Sequence, residues 1–297
     1  MIDIAPNHKY GLSLKGPVMP AAGTFGFGDA YPNLVDLSLL GALVTNPVSL
    51  RRRRPARGRR LAVHRDAFVV HTGWPNPGVR TVVRDFREIW AHLPVPVIVH
   101  LLATQPGELA QAASRLSGLS NVAGIELGFT TGVSPRLAVD LLDAAREGDL
   151  PVIAKVPFER VDQLAPHLAR HGVDAVTLMS PPRAVLPLLS TDPQMPIARY
   201  LRGRLYGRAL FPLLLNALSR WAGKLGCAVI ACGGIASPEE ALACINLGAA
   251  AVQIDALLWR DPWLLNEIAR GVGAPQPLTK TEAEAALREE YNGEETL

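Results

Sequence analysis

Among the five lysines of the 297-residue chain, Lys155 is unusual because it lies inside the apolar run Val152 to Val156. An ammonium there is costly unless something answers it, so Lys155 is either a group with a chemical task or half of an internal ion pair, with Glu126 as the nearest candidate partner. Seven arginines crowd the ten-residue window Arg51 to Arg60. Such a run is a solvated basic loop or a docking site for a phosphate, an acidic protein face or nucleic acid. With no interleaved aromatics and no nucleic-acid module, nucleic acid is the least favoured of these. His64, His71 and His100 fall near the ends of short apolar runs, where an imidazole is able to act as acid or base or simply satisfy the core. Cys227, Cys232 and Cys244 form neither an even disulfide set nor a C-x-x-C pair, so they read as reduced and buried, with no metal or iron–sulfur ligand pattern.

The elements that must position these groups alternate. Apolar runs at Val18 to Ala22, Ala42 to Thr45, Val95 to Leu101, Gly124 to Leu127, Val152 to Val156, Ala175 to Leu178, Ala228 to Cys232 and Ala250 to Ile254 are candidate strands. Being apolar on both faces, they suit a parallel sheet covered by helices. Helical starts are expected at Asn76-Pro77, Ser134-Pro135 and Ser237-Pro238, where an N-cap side chain precedes a first-turn proline. Eight β-α units favour closure into a (β/α)8 TIM barrel, which places chemistry at the carboxyl ends of the strands. Two segments interrupt the alternation: a short hairpin inserted after strand 2, Leu61 to Thr72, and a proline-rich excursion after strand 6, Pro181 to Arg204. We expect one barrel domain over 1–278 and an acidic C-terminal helix or tail over 279–297.

Composition sets the outer bounds. At 48% hydrophobic and 19% charged, the chain is too apolar for disorder and long enough for a large core. No stretch approaches the ~18 apolar residues of a membrane span, and the first ten residues lack the pattern of a signal peptide. A cytoplasmic protein without membrane attachment is the expectation.

The series Met19-Pro-Ala-Ala-Gly-Thr-Phe-Gly-Phe-Gly28, Gly41-Ala-Leu-Val-Thr45, Pro75-Asn-Pro-Gly78, Cys232-Gly-Gly-Ile235 and Gly248-Ala-Ala-Ala-Val-Gln253 resembles, in order, the dihydroorotate dehydrogenase family. The likeness runs from about residue 12 to residue 270. Lacking an N-terminal helical extension, it is similar to the soluble class. The resemblance implies a (β/α)8 barrel that binds FMN at the strand ends and oxidises dihydroorotate to orotate, with a base on the loop after the fourth strand.

Carried over residue by residue, the resemblance implies that Gly23, Gly207, Gly233 and Gly234 approach the cofactor and that Lys155 contacts the flavin ring. Glycines suit a phosphate cradle because its donors are backbone N–H groups. The second phosphate loop departs from the family, with Asp255 and Ala256 where Gly-Thr is usual. A carboxylate facing a phosphate is repulsive unless a cation such as Arg204 or Arg208 intervenes. The substrate pocket also departs: Asn46 replaces a lysine, His71 an asparagine, Gly128 another asparagine, and Ser180-Pro181 an Asn-Thr pair, while Asn76 is retained. Thr131 stands at the base position of the soluble class, where cysteine is usual, in a loop shorter than the family's lid. A threonine hydroxyl is a poor base unless another group takes its proton.

Two functions are therefore expected of this chain. One is a non-catalytic or accessory subunit of pyrimidine biosynthesis that forms a heteromer with an active paralogue, or a homodimer, with Arg51 to Arg60 in the contact. The other is an FMN-dependent oxidoreductase with an altered site, acting on dihydroorotate or on a different substrate.

Overall fold

The structure is a computed structural model that describes residues 1–31, 33–189 and 197–273. The chain opens with a two-stranded antiparallel ribbon, β1 (Ile2–Asp3) and β2 (Ser13–Leu14). It then runs β3 (Val18–Pro20), β4 (Leu43–Val44), β5 (Leu61–His64), β6 (Ala67–Val70), α1 (Val79–Ala91), β7 (Val97–Leu102), α2 (Pro106–Ser114), β8 (Val122–Gly128), α3 (Pro135–Ala145), β9 (Val152–Pro157) and α4 (Val161–Arg170). The remainder is β10 (Ala175–Ser180), β11 (Arg183–Leu189), β12 (Ile197–Gly207), α5 (Phe211–Trp221), β13 (Ala228–Cys232), α6 (Pro238–Asn246), β14 (Ala251–Ile254) and α7 (Leu264–Val272).

Eight of these strands pair in parallel in the order β3-β14-β13-β10-β9-β8-β7-β4, the ring of a (β/α)8 TIM barrel. Its seam lies between β3 and β4, where the Gly41 N–H donates to the Val18 carbonyl at 2.8 Å. The backbones touch so closely there that a Cβ on Gly41 would stand 2.1 Å from the Gly16 carbonyl oxygen. All eight candidate strands are present, with ends shifted by up to two residues. The alternation is less regular than expected, since only a 3-10 turn, Leu37–Leu39, joins β3 to β4.

Barrel strands are buried on both faces, and period two sorts their inward residues into layers. Towards the amino ends the layer is apolar, with Met19, Val44, Ile98, Ile153, Ala175 and Ile230 sealed from below by Ile4, Leu12 and Leu14 beside the opening ribbon. Two residues further along each strand the layer turns polar, giving His100, Glu126, Lys155, Thr177, Cys232 and Gln253. The fold thus rests on an apolar plug and carries a polar floor beneath the barrel mouth.

Helix starts follow the expected chemistry at two of three places. Ser134 Oγ accepts from the Leu137 N–H at 3.2 Å, and Ser237 Oγ from the Glu240 N–H at 3.3 Å, each ahead of a first-turn proline. The third start is corrected: α1 begins at Val79 behind Gly78, not at Asn76-Pro77. Asn76 instead folds the approach, its Oδ1 accepting from the Gly78 N–H at 3.0 Å.

The expected hairpin is β5–β6. The expected excursion after the sixth barrel strand is present and forms the antiparallel pair β11–β12, which joins the hairpin in a four-stranded sheet of order β11-β12-β6-β5. Period-two alternation there is masked by arginines and prolines on the face towards the mouth, while Ala62, Val69 and Leu201 bury the other face. The proposed boundary at 278 and the tail over 279–297 lie outside the described residues.

Candidate active site at the barrel mouth

The polar floor is a connected network. Glu126 is fully buried; its Oε2 lies 2.7 Å from His100 Nδ1 and 3.8 Å from Lys155 Nζ, and its Oε1 accepts from Thr177 Oγ1 at 3.0 Å and Gln253 Nε2 at 2.6 Å. Lys155 Nζ also donates to Gln253 Oε1. Burial alone would raise the Glu126 pKa, but the Lys155 charge, the hydrogen bond and charge of His100 and the Gln253 amide outweigh it and hold the carboxyl at about 2. The Lys155 ammonium is held above its ordinary value; burial opposes this, and neighbouring Cys232 and Glu126 override it. Cys232 is pushed up to about 11 by burial, with Lys155 pulling the other way. Lys155 therefore has its ion-pair partner in Glu126, as the sequence allowed.

Above this floor opens a cleft of about 590 Å³. It is lined by Gly23, Asn46, His71 and Trp74 and by Arg183, Arg202 and Arg204 of β11–β12. The Asn46 Oδ1 is buried without a hydrogen-bond partner. Tyr206 stacks on Phe68 at 5.6 Å and tilts against Trp259 at 6.2 Å. Its phenol is pushed up by burial and by the nearby Asp255 and Cys232.

The remaining residues singled out in the sequence lie elsewhere. Thr131 is outside the cleft wall, and its carbonyl accepts from the Arg160 guanidinium at 3.2 Å. Ser180 ends β10, also outside the wall. Asn76 is not among the residues that line the cleft: its Oδ1 accepts from the Ser49 and Gly78 N–H groups and its Nδ2 donates to Ser49 Oγ and the Trp74 carbonyl, so the amide is used within the loop. Gly128 has a physical reason to lack a side chain, since a Cβ would stand 2.5 Å from His100 Nε2. Sequence reasoning named His100 only as one of three strand-end histidines; its spacing two residues beyond inward-facing Ile98 was the signal that it joins the floor. Of the cleft arginines of β11 and β12, the sequence singled out Arg204 only as a possible counter-charge to Asp255; Arg183 and Arg202 escaped notice because the segment was not read as strand.

Whether a flavin phosphate fits is decided at the ends of β13 and β14. The Asp255 carboxylate accepts from the Gly234 N–H at 3.1 Å through Oδ2 and from the Leu257 N–H at 3.1 Å through Oδ1. It is 3% exposed. Burial raises its pKa, with the two N–H groups and Lys155 opposing. Gly234, at φ +74°, is tight for reasons internal to the chain, as a Cβ there would meet the Phe211 nitrogen at 2.5 Å. Gly207, at φ +141°, packs against the hairpin, 2.4 Å from the Asp66 carbonyl by the same measure. Gly233, at φ +135°, faces open space with only Met179 Cε at 4.0 Å. Neither neighbouring arginine answers Asp255: Arg208 pairs with Glu240 at 3.0 Å, and Arg204 donates to the Pro181 carbonyl at 2.9 Å with Glu159 at 4.0 Å. The Gly234 N–H, which the resemblance would give to the phosphate, is thus already taken by a buried carboxyl group at the end of β14, so the residues present do not fit the phosphate of FMN. Among the described residues, no three His, Cys, Asp or Glu side chains converge on a metal-sized site, and no helix is long and apolar enough to cross a membrane.

Comparison with known proteins agrees with the architecture. The family model described as dihydroorotate dehydrogenase matches residues 7–275. The catalytic subunit of dihydroorotate dehydrogenase B (NAD(+)) from Desulforudis audaxviator is 32% identical over 257 residues, covering 82% of this chain and 83% of that protein. Its namesake from Anoxybacillus flavithermus is 30% identical, covering 87% and 86%. A crystal structure of the dihydroorotate dehydrogenase of Eimeria tenella in complex with ferulenol superposes with a TM-score of 0.67 at 15% identity, covering 88% of this chain and 83% of that one. With the barrel, its strand-end cleft and a family match spanning most of its length, this chain belongs to the dihydroorotate dehydrogenase family of pyrimidine biosynthesis.

Proposed function

We propose that this chain is a non-catalytic member of its family, a cytoplasmic accessory subunit that assembles with an active paralogue. The observation that carries this reading is the Asp255 carboxylate on the Gly234 and Leu257 N–H groups. A phosphate would have to displace the Asp255 side chain from the Gly234 N–H, a donor it would itself need, and leave the Asp255 oxygens buried without their hydrogen bonds. Three further features point the same way. The His100 imidazole fills the space a side chain at Gly128 would need. Thr131, at the family's base position, stands outside the cleft. The Lys155 ammonium is engaged by Gln253 and Glu126. The relatives are named as catalytic subunits, a name that implies assembly with other chains and supports a subunit role here.

The test is an absorbance spectrum of the chain purified with added FMN, read together with its mass in solution. We expect a colourless protein that travels with a second, flavin-bearing chain when isolated gently from its host. The double variant Asp255→Gly with Ala256→Thr should retain more flavin than the parent. A parent protein carrying one flavin per chain would overturn the reading and restore that of an FMN-dependent oxidoreductase acting on dihydroorotate or another substrate.

A further inference from the structure

The mouth-facing wall of the four-stranded sheet concentrates positive charge. In the antiparallel register Arg183 stands directly opposite Arg204, and Val185 opposite Arg202. Period two puts Arg202, Arg204 and Tyr206 on one face of β12. Like charges directly opposite each other across a ladder are destabilising, and among the described residues only Arg204 is answered by a carboxylate, Glu159 at 4.0 Å. Among the described residues no carboxylate lies within 4.0 Å of the Arg183, Arg202 or Arg53 guanidinium, and no acidic side chain lines the cleft. Arg53 also lines the cleft, its backbone anchored to Asn76 by hydrogen bonds of 2.9 and 3.2 Å and its Nε donating to the Gly73 carbonyl at 3.4 Å. Four guanidinium groups thus border one cavity.

The rest of the cavity is of a different kind. Trp74, Tyr206 and Trp259 give it flat apolar faces, and the buried Asn46 Oδ1 waits for a donor. Guanidinium forks match phosphate oxygens in paired hydrogen bonds. Aromatic faces accept a planar ring by stacking, and an unanswered amide oxygen favours a ring that carries an N–H. At about 590 Å³ the cleft has the size of a small-molecule site.

From these observations we infer that the cleft binds a nucleoside di- or triphosphate, with the phosphates on Arg53, Arg183, Arg202 and Arg204 and the base among the aromatic side chains at Asn46. This rests on the reading that the mouth does not hold flavin.

The experiment is calorimetric titration of the full chain with ADP, UDP, pyrophosphate, adenosine and FMN at fixed salt. At least one of ADP and UDP should bind, more weakly as salt rises, and adenosine should bind at least about tenfold more weakly, a loss of 1.4 kcal/mol. The exposed double change Arg183→Gln with Arg202→Gln should weaken the nucleotide by about tenfold or more without lowering the melting temperature. Trp259→Ala should weaken the nucleotide several-fold and leave pyrophosphate unchanged. Nucleotides that bind no better than adenosine, or that bind the arginine variant as well as the parent, overturn the inference. So does FMN if it displaces the nucleotide and binds more tightly. FMN that binds alongside the nucleotide, unaffected by the arginine changes, removes the proposed non-catalytic role and leaves the nucleotide site standing.

Discussion

Glu126 and Lys155 decide how the barrel tolerates charge in its interior. Breaking a buried pair by removing one partner leaves an unpaired charge and costs about 3 to 5 kcal/mol, so Lys155→Met should lower stability by that order, measured by chemical denaturation. Because the folded-state Glu126 pKa is depressed from 4.5 to about 2, its contribution is complete above pH 4.5 and is lost as the pH falls through that window. The shift corresponds to something on the order of 3 kcal/mol. The melting temperature of the parent should therefore drop between pH 4.5 and 2, and Glu126→Gln, already less stable at neutral pH, should show a flatter profile over the same window. Sequence exposed Lys155 as a charge needing a partner, and even the partner. It could not expose the Asp255 bonds, because a hydrogen bond from residue 234 to residue 255 depends on how two strand ends are aimed in space.

Elements were legible to the extent that period and punctuation reported them. The eight barrel strands stood out as apolar runs because both faces are buried, and the Ser134 and Ser237 caps stood out because a hydroxyl before proline has one favourable use. The β11–β12 ribbon did not, since its outward-inward alternation uses arginines and tyrosine on one face and is interrupted by Pro187. Coupling between elements yields a further prediction. With a Cβ at 128 only 2.5 Å from His100 Nε2, Gly128→Asn should destabilise the protein by about 1 to 3 kcal/mol through overpacking. His100→Ala should relieve much of this in the double variant, a non-additivity that a double-mutant cycle reads directly. If the two changes simply add, the imidazole is not what keeps residue 128 bare. Gly41→Ala tests the seam in the same way: its Cβ would meet the Gly16 carbonyl at 2.1 Å, and only a backbone shift that loosens the β3–β4 closure can relieve that, so unfolding should come at lower denaturant with a clear loss of stability.

On the scale of the whole molecule, the feature left over is charge without partners. All seven arginines between Arg51 and Arg60 are exposed, and among the described residues every arginine ion pair involves other positions. The run leads from the barrel mouth into the hairpin edge, where Leu61 and Val63 are also exposed. A basic loop beside an apolar strand edge suits an acidic partner face that brings an apolar contact with it. Electrostatic attraction of this kind fades as the Debye length shrinks from about 10 Å at 0.1 M salt to about 3 Å at 1 M. If the accessory reading is right, light scattering of the assembly isolated from its host should show a heteromer at the lower salt that weakens or dissociates at the higher. Changing Arg57, Arg59 and Arg60 to Gln, all distant in sequence from Asp255 and outside the cleft wall, should weaken assembly at low salt and leave the unfolding free energy of the isolated chain within about 0.5 kcal/mol of the parent. An assembly indifferent to both salt and these changes would place the contact on another face of the barrel.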